Sequence, residues 1–211
     1  MPSLRSQRPI LVVEGAGDRE ALPVLIRRVL DEHKVYDVRT APNPKTNLEI
    51  NKLRRAGELE RYMRYAERED SDGVILALDC DDFCPVTIAR EFSDRIKEMK
   101  IEKRTAIVLF KAEFESMFLF SYEDIKQAYP EFGWRGGSVP ETEDIRNPKK
   151  ILSEMMDYNR AYKETRDQAR FASIISLGTL RACSRSFRHF ENALLWLVAD
   201  NISETHVYPS F

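Results

Sequence analysis

Two short stretches constrain this chain more than the rest of it. Ile10-Leu11-Val12-Val13 runs into Glu14-Gly15-Ala16-Gly17-Asp18, and Val74-Ile75-Leu76-Ala77-Leu78 runs into Asp79-Cys80-Asp81-Asp82. Each is a run of β-prone apolar residues of strand length, the pattern of a strand buried on both faces in a parallel sheet. Each ends abruptly in carboxylates. In open α/β sheets, ligand and catalytic groups gather outside the carboxyl ends of the strands. If the two strands are neighbours, Glu14 and Asp79 end at one edge. Asp81 follows two residues on, and on an extended backbone it points to the same side as Asp79 while Cys80 turns away.

Several carboxylates at one point cannot all stay ionised without cations, because like charges at short range repel strongly. Hard oxygen ligands in an open arrangement suit Mg²⁺ or Mn²⁺. Asp18 can add a further oxygen, or it can cap the helix behind it, as Asp82 can cap the next one. Lys111 follows the Thr105–Phe110 strand, with Glu113 and Glu115 just beyond. Those two glutamates suit a second metal position, and Lys111 suits a phosphate contact as a point charge. They also read as the polar face of a segment whose Phe114, Met117, Phe118 and Phe120 enter the core.

Ser184-Arg185-Ser186-Phe187-Arg188-His189 opens a late helix with arginines where the helix dipole favours anions. An external phosphate over Arg185, Ser186 and Arg188 would make sense of that arrangement, as would pairing with acidic side chains. His189 reads as a packed or surface histidine. Cys80 and Cys84 lack the further ligands of a closed zinc site. Glu20 stands where a dinucleotide fingerprint needs its third glycine, and no Walker phosphate loop is present.

The rest of the chain reads as follows. A helix over residues 19–30 carries an apolar stripe but contains Pro23, so it is expected to start late or bend. Tyr36–Thr40 is a weaker strand. Thr46-Asn47-Leu48-Glu49 has the form of a capping box opening a charged helix to about residue 70, with Gly57 as an interruption. Gly73–Leu78 is the clearest strand. Pro85 suits the first turn of a helix to about residue 100, and Thr105–Phe110 is the next strand. Strands alternating with helices predict an α/β fold with a parallel sheet and helices on both faces. Beyond it the spacing predicts helices over 112–120, 123–129, 149–166 and 187–198, with a loop over 131–148 carrying Pro140. At 211 residues the chain can bury a sizeable core. A net charge of -2 argues against a constitutive basic coat, though not against a local patch. Three cysteines without Cys-x-x-Cys units fit a reduced compartment. The short basic start, Met1 to Arg8, lacks the apolar region of a signal peptide, and no stretch is long enough to cross a bilayer. The expected location is cytoplasmic, with no membrane partner.

Glu14-Gly15 after one apolar strand and Asp79-x-Asp81 after another resemble the TOPRIM domain shared by topoisomerases, bacterial primases and OLD-type nucleases. Val13-Glu14-Gly15-x-x-Asp18, Glu113-Phe114-Glu115 and the Ser184–Arg188 segment are similar, more narrowly, to a TOPRIM-like bacterial family of unassigned function. Its members are often encoded beside an ATPase and associated with phage defence. The resemblance implies a TOPRIM-like α/β domain over 8–120 with a helical extension over 121–211 packed on it. It makes Glu14 a metal ligand or general acid/base, and Asp79 and Asp81 a metal-binding pair. It tips Glu113 and Glu115 toward a role in the site. Nothing marks a topoisomerase tyrosine, and primase template-binding modules are lacking. A metal-dependent nuclease therefore fits best, acting on nucleic acid with DNA favoured over RNA, with Glu14 and Lys111 catalytic and a partner ATPase controlling it. The lysine often found after the family's Glu-Gly is absent here. The rival expectation is a non-catalytic Mg²⁺-binding module, receiver-like or a degenerate TOPRIM, that regulates a partner ATPase. Self-association is left open by the sequence.

Overall fold

The two apolar runs become adjacent strands. In the computed structural model, which describes residues 7–137, 143, 145–157, 159–199 and 206–209, β1 is Pro9–Val13 and β2 is Gly73–Asp79. They pair in parallel with Val13 opposite Ala77. β3, Arg104–Phe110, lies on the other side of β2 with Phe110 opposite Asp79. A two-residue strand β4, Val207–Tyr208, completes a parallel sheet in the order β1-β2-β3-β4. The expected α/β class is therefore the observed one, a parallel sheet flanked by helices.

Side-chain alternation divides the sheet cleanly. Ile10, Val12, Val74, Leu76, Leu78, Ile107 and Leu109 pack on one face against α3 (Glu58–Arg68) and α4 (Pro85–Glu98). Leu11, Val13, Ile75, Ala77, Ala106, Val108 and Phe110 face the opposite way, into a larger apolar cluster. That cluster includes α1 (Ala16–Glu32) and most of the second half of the chain. Asp79 shares the parity of Ile75 and Ala77, so it points to this second side.

Several elements depart from the sequence expectation. α1 starts at Ala16, directly after β1, and runs unbroken through Pro23. Leu22, Leu25, Val29 and Leu30 are fully buried along one stripe, and that burial outweighs one missing donor. Tyr36–Thr40 makes only a single bridge, Val38 with Gln7. The Thr46–Glu49 capping box does not form. Residues 45–48 instead run along β1, with Val13 N donating to Lys45 O and both Asn47 N and Leu48 N donating to Glu14 O. The charged helix is split into α2 (Ile50–Leu53) and α3, separated at Gly57, whose φ of 81° is left-handed.

α4 begins at Pro85, as expected. The helix predicted over 112–120 is only α5 (Ser116–Phe120), because residues 111–115 turn back over the sheet end; α6 follows at Tyr122–Ala128. The helix predicted over 149–166 stops at Met155 as α7 (Pro148–Met155). A π-helical turn, Glu164–Gln168, leads into α8 (Ala169–Ala172). α9 (Leu177–Cys183) and α10 (Arg185–Val198) are the last helices among the described residues. The N-terminal stretch before Gln7, and Pro140 in the expected 131–148 loop, lie outside the described residues. No helix among the described residues is long and apolar enough to cross a membrane.

The π-helical turn is pressed onto α1 at Gly17. A Cβ on Gly17 would stand 1.8 Å from Gln168 Oε1 and 3.0 Å from Glu164 Cβ. Gly17→Ala is expected to push these two segments apart and lower stability by about 1–3 kcal/mol. Urea unfolding with an unchanged midpoint would contradict that close approach.

Candidate metal centre

β2 ends with Asp79 pointing to the sheet face covered by α1 and the second half of the chain, and the 111–115 turn arrives over it from β3. The turn is fastened at several points. Cys80 N donates to Phe110 O and Ala112 O at 2.8 and 3.0 Å, and Asp81 N donates to Ala112 O at 2.9 Å. Phe114 fixes it further. Its ring packs edge-on against Phe110 and Phe118, and its N–H donates to Asp79 Oδ1 at 2.7 Å. With Phe114 locked inward, Glu113 and Glu115 flank Asp79. Asp79, Glu113 and Glu115 each offer a carboxylate oxygen, and these oxygens all lie within 4.8 Å of one another. Such a triad of hard oxygen donors can hold a divalent cation.

The second half of the chain completes the surroundings. Lys149, in the first turn of α7, reaches in so that its Nζ lies 3.9 Å from Asp79 Oδ2, 3.2 Å from Glu113 Oε2 and 3.8 Å from Glu115 Oε2. Its shortest contact, 2.8 Å, is to Glu164 Oε1 on the π-helical turn. Tyr162 OH donates to Glu115 Oε1 at 2.9 Å. Glu113 Oε2 and Glu115 Oε2 are buried without a hydrogen-bond partner, Lys149 meeting them only as an ion pair. The segment that carries Tyr162 and Glu164 is anchored by Asp167, which is fully buried and bidentate with Arg160 at 2.7 and 2.9 Å. Arg166 and Lys163 N also donate to Asp167.

Glu14 joins the group from β1, accepting a hydrogen bond from Asp79 N at 3.3 Å. Asp18 is engaged on both oxygens. Oδ2 accepts from Gly15 N at 2.9 Å, capping α1, and Oδ1 accepts from Gln168 Nε2 at 2.7 Å. Asp81 does not face one point with Asp79. The strand ends at Asp79, Cys80 continues into the opposite core, and Asp81 turns with a φ of 47° to lie exposed. It remains near enough to Glu14 to act on its charge. Lys111 Nζ donates to Asp81 O at 3.3 Å, so this lysine holds the turn that carries Asp81.

The expected phosphate contacts lie in a cleft of about 660 Å³ between the starts of α4 and α10, lined by Lys111, Arg185, Ser186, Arg188 and His189 among others. The helix start is taken by a carboxylate of the chain itself. Glu143 accepts from Ser186 N at 3.0 and 3.2 Å and from Ser184 Oγ. Ser184 Oγ in turn caps Phe187 N. Arg188 donates to Arg181 O and Ala182 O, closing the end of α9, while Arg185 is exposed. His189 packs, with its Nε2 on Ile107 O.

Electrostatics set the acids apart. Burial raises the pKa of Asp79 well above the carboxylate range, aided by Glu115, Asp18 and Glu14. Burial likewise lifts Glu115 to about 8 and Glu14 to about 7, in each case against the partial relief of Lys149. For Lys149, burial works against its charge, but Glu115, Glu164, Asp79 and Glu113 more than reverse this and hold the ammonium charged. One ammonium thus undercompensates the cluster. A group whose pKa is higher folded than unfolded stabilises the fold while protonated and ceases to do so as pH rises through the folded value. Metal-free protein is therefore expected to lose thermal stability between about pH 4.5 and pH 8, the window spanned by the unfolded and folded values of Glu14 and Glu115. Glu115→Gln is expected to flatten that slope. A flat profile for the parent chain, or the same slope in the variant, would contradict this charge balance.

Sequence reasoning assembled Glu14, Asp79, Glu113 and Glu115 but missed Lys149, Tyr162, Glu164 and Gln168. A signal for Lys149 existed in the Pro148-Lys149-Lys150 helix start, where basic residues oppose the dipole as they do at Arg185. No curated protein and no solved structure matches the chain. One family model does, over residues 13–195, a span that contains every acid of the cluster. The chain belongs to the family described as Domain of unknown function (DUF4276).

Proposed function

We propose that this chain is a metal-dependent hydrolase of phosphodiester bonds in nucleic acid, with Mg²⁺ or Mn²⁺ as its cofactor and DNA as its preferred substrate. The observation that carries the reading is the triad of Asp79, Glu113 and Glu115, whose ligand oxygens lie within 4.8 Å of one another at the carboxyl end of a parallel sheet. Two of its buried oxygens have no hydrogen-bond donor, which fits residues shaped to hold a cation. The all-oxygen donor set favours a hard ion over zinc. When bound, such an ion supplies Lewis-acid stabilisation of phosphate and a water of lowered pKa.

The chain's own residues would do the rest. Asp79, Glu113 and Glu115 hold the ion, with Phe114 N–H and Tyr162 OH orienting two of them. Glu14, with its pKa near 7, is poised to accept or return a proton at neutral pH. Asp81 and Asp18 lie at the margin, the first available to solvent. Lys111, Arg185 and Arg188 line the neighbouring cleft, where a substrate phosphate would displace the Glu143 carboxylate from Ser186. The resemblance to TOPRIM nucleases supports this reading, as does the resemblance to a family often encoded beside an ATPase and associated with phage defence. With no phosphate loop in the sequence, ATP use would fall to a partner, and the setting would be cytoplasmic.

A second reading is favoured by one contact. Lys149 already neutralises the triad in part, as it would in a degenerate, non-catalytic module that regulates a partner ATPase. Incubation of the protein with plasmid and with RNA, in Mn²⁺ and in Mg²⁺, separates the two. Cleavage by the parent chain and a loss of about 100-fold or more in Glu14→Gln and in Asp79→Ala are expected. Undiminished cleavage in both variants would remove the site assignment. No cleavage by the parent, alone or with an ATPase encoded beside it, would favour the binding module.

A further inference from the structure

The Lys149 ammonium and a divalent ion would need the same space. The three carboxylate oxygens of the triad lie within 4.8 Å of one another, and Lys149 Nζ sits 3.2–3.9 Å from Asp79 Oδ2, Glu113 Oε2 and Glu115 Oε2. A space of that width accepts one cation, and two cations there would repel strongly. The ammonium also fills it imperfectly. Glu115 is 1% exposed, and its Oε2 has no hydrogen-bond partner although it points at the lysine. An ion that binds oxygen at about 2.0–2.6 Å would engage that atom where the ammonium at 3.8 Å does not.

A way out is built beside the triad. The Lys149 side chain is 38% exposed, and its closest contact, at 2.8 Å, is Glu164, itself 40% exposed. The triad is more deeply placed, Asp79 at 8% and Glu115 at 1%, with Glu113 at 18%. Lysine carries its charge on a flexible four-carbon stem, so rotation of that stem can withdraw the ammonium from the triad and leave it on Glu164. The backbone of α7 need not move.

We infer that Lys149 is an internal rival of the divalent ion: it occupies the triad when metal is absent and withdraws onto Glu164 when metal enters. This rests on the reading that the triad holds a divalent ion. The metal-free chain is then kept folded by its own cation, and its apparent metal affinity is lowered by the fraction of molecules in which Lys149 fills the site. The lysine thereby sets the metal concentration at which the centre loads.

The experiment is a Mn²⁺ titration of the full chain, read by electron paramagnetic resonance and by thermal melting. It is run at about pH 8.5, where protons compete least with metal. The parent is compared with Lys149→Met, Lys149→Gln and Glu115→Gln. Removing the rival is expected to tighten Mn²⁺ binding about tenfold or more. It is also expected to lower the melting temperature without metal and to enlarge the upward shift that Mn²⁺ produces. Lys149→Gln, neutral but polar, keeps the test open if the methionine variant folds poorly. Equal or weaker binding in both lysine variants, with binding by the parent abolished in Glu115→Gln, would overturn the competition and leave the metal site standing. Absence of Mn²⁺ binding in the parent and in both lysine variants would overturn the two together.

Discussion

Several carboxylates brought together at the carboxyl ends of β1, β2 and β3 repel one another, and most of the architecture around them answers that repulsion. Asp79 takes its direction from strand parity, because a residue two beyond Ala77 must share its face. That face is the one the second half of the chain covers. Asp79 and Glu115 are consequently buried among apolar side chains, where an isolated carboxylate is costly unless it is protonated, hydrogen-bonded or paired. All three remedies are used. Phe114 N–H and Tyr162 OH donate to the pair, Lys149 supplies positive charge, and burial lifts the pKa values of Glu14 and Glu115 to about 7 and about 8, so that protons share the site.

The helices beyond α5 therefore do more than cover a sheet face. Lys149 comes from α7, Tyr162 and Glu164 from the segment that follows, and Gln168 from the end of the π-helical turn. None of these could be delivered by the βα units of the first half. The turn is held in place by buried Asp167 with Arg160 and Arg166, and by a close contact with α1 at Gly17, where an added Cβ would force Gln168 to shift. Breaking such a buried ion pair is disruptive because it leaves a charge without its partner. The π-helical geometry is often found where a helix must project side chains into a site, as Glu164 and Gln168 do here.

How much of this was readable in advance follows from the range of each interaction. The strands were legible because their apolar runs are local and end sharply, at Val13, Asp79 and Phe110. Glu14, Asp79, Glu113 and Glu115 followed from strand ends sharing one edge. Asp81 illustrates the limit of extrapolation, since the two-residue periodicity stops with the strand and a left-handed residue redirects the chain. The Thr46–Glu49 signal failed for a related reason. Its backbone groups were claimed by β1 through Lys45 and Glu14, a pairing no local pattern announces. Lys149, Tyr162 and Glu164 lie at least 34 residues beyond Glu115 and carry no spacing that ties them to it, so only the folded chain brings them together. At α10 the unusual arginines did mark an anion position, but the anion seated there is Glu143 of the same chain.

Asp79, Glu113 and Glu115 are proposed to form one cation-binding centre. The most direct measurement is an anomalous difference map from crystals of the full chain grown or soaked in Mn²⁺. A single strong peak is expected between these three carboxylates, at about 2.0–2.6 Å from their oxygens, with the Lys149 ammonium withdrawn. Manganese bound elsewhere, or no peak while Lys149 keeps its place among the acids, would contradict it.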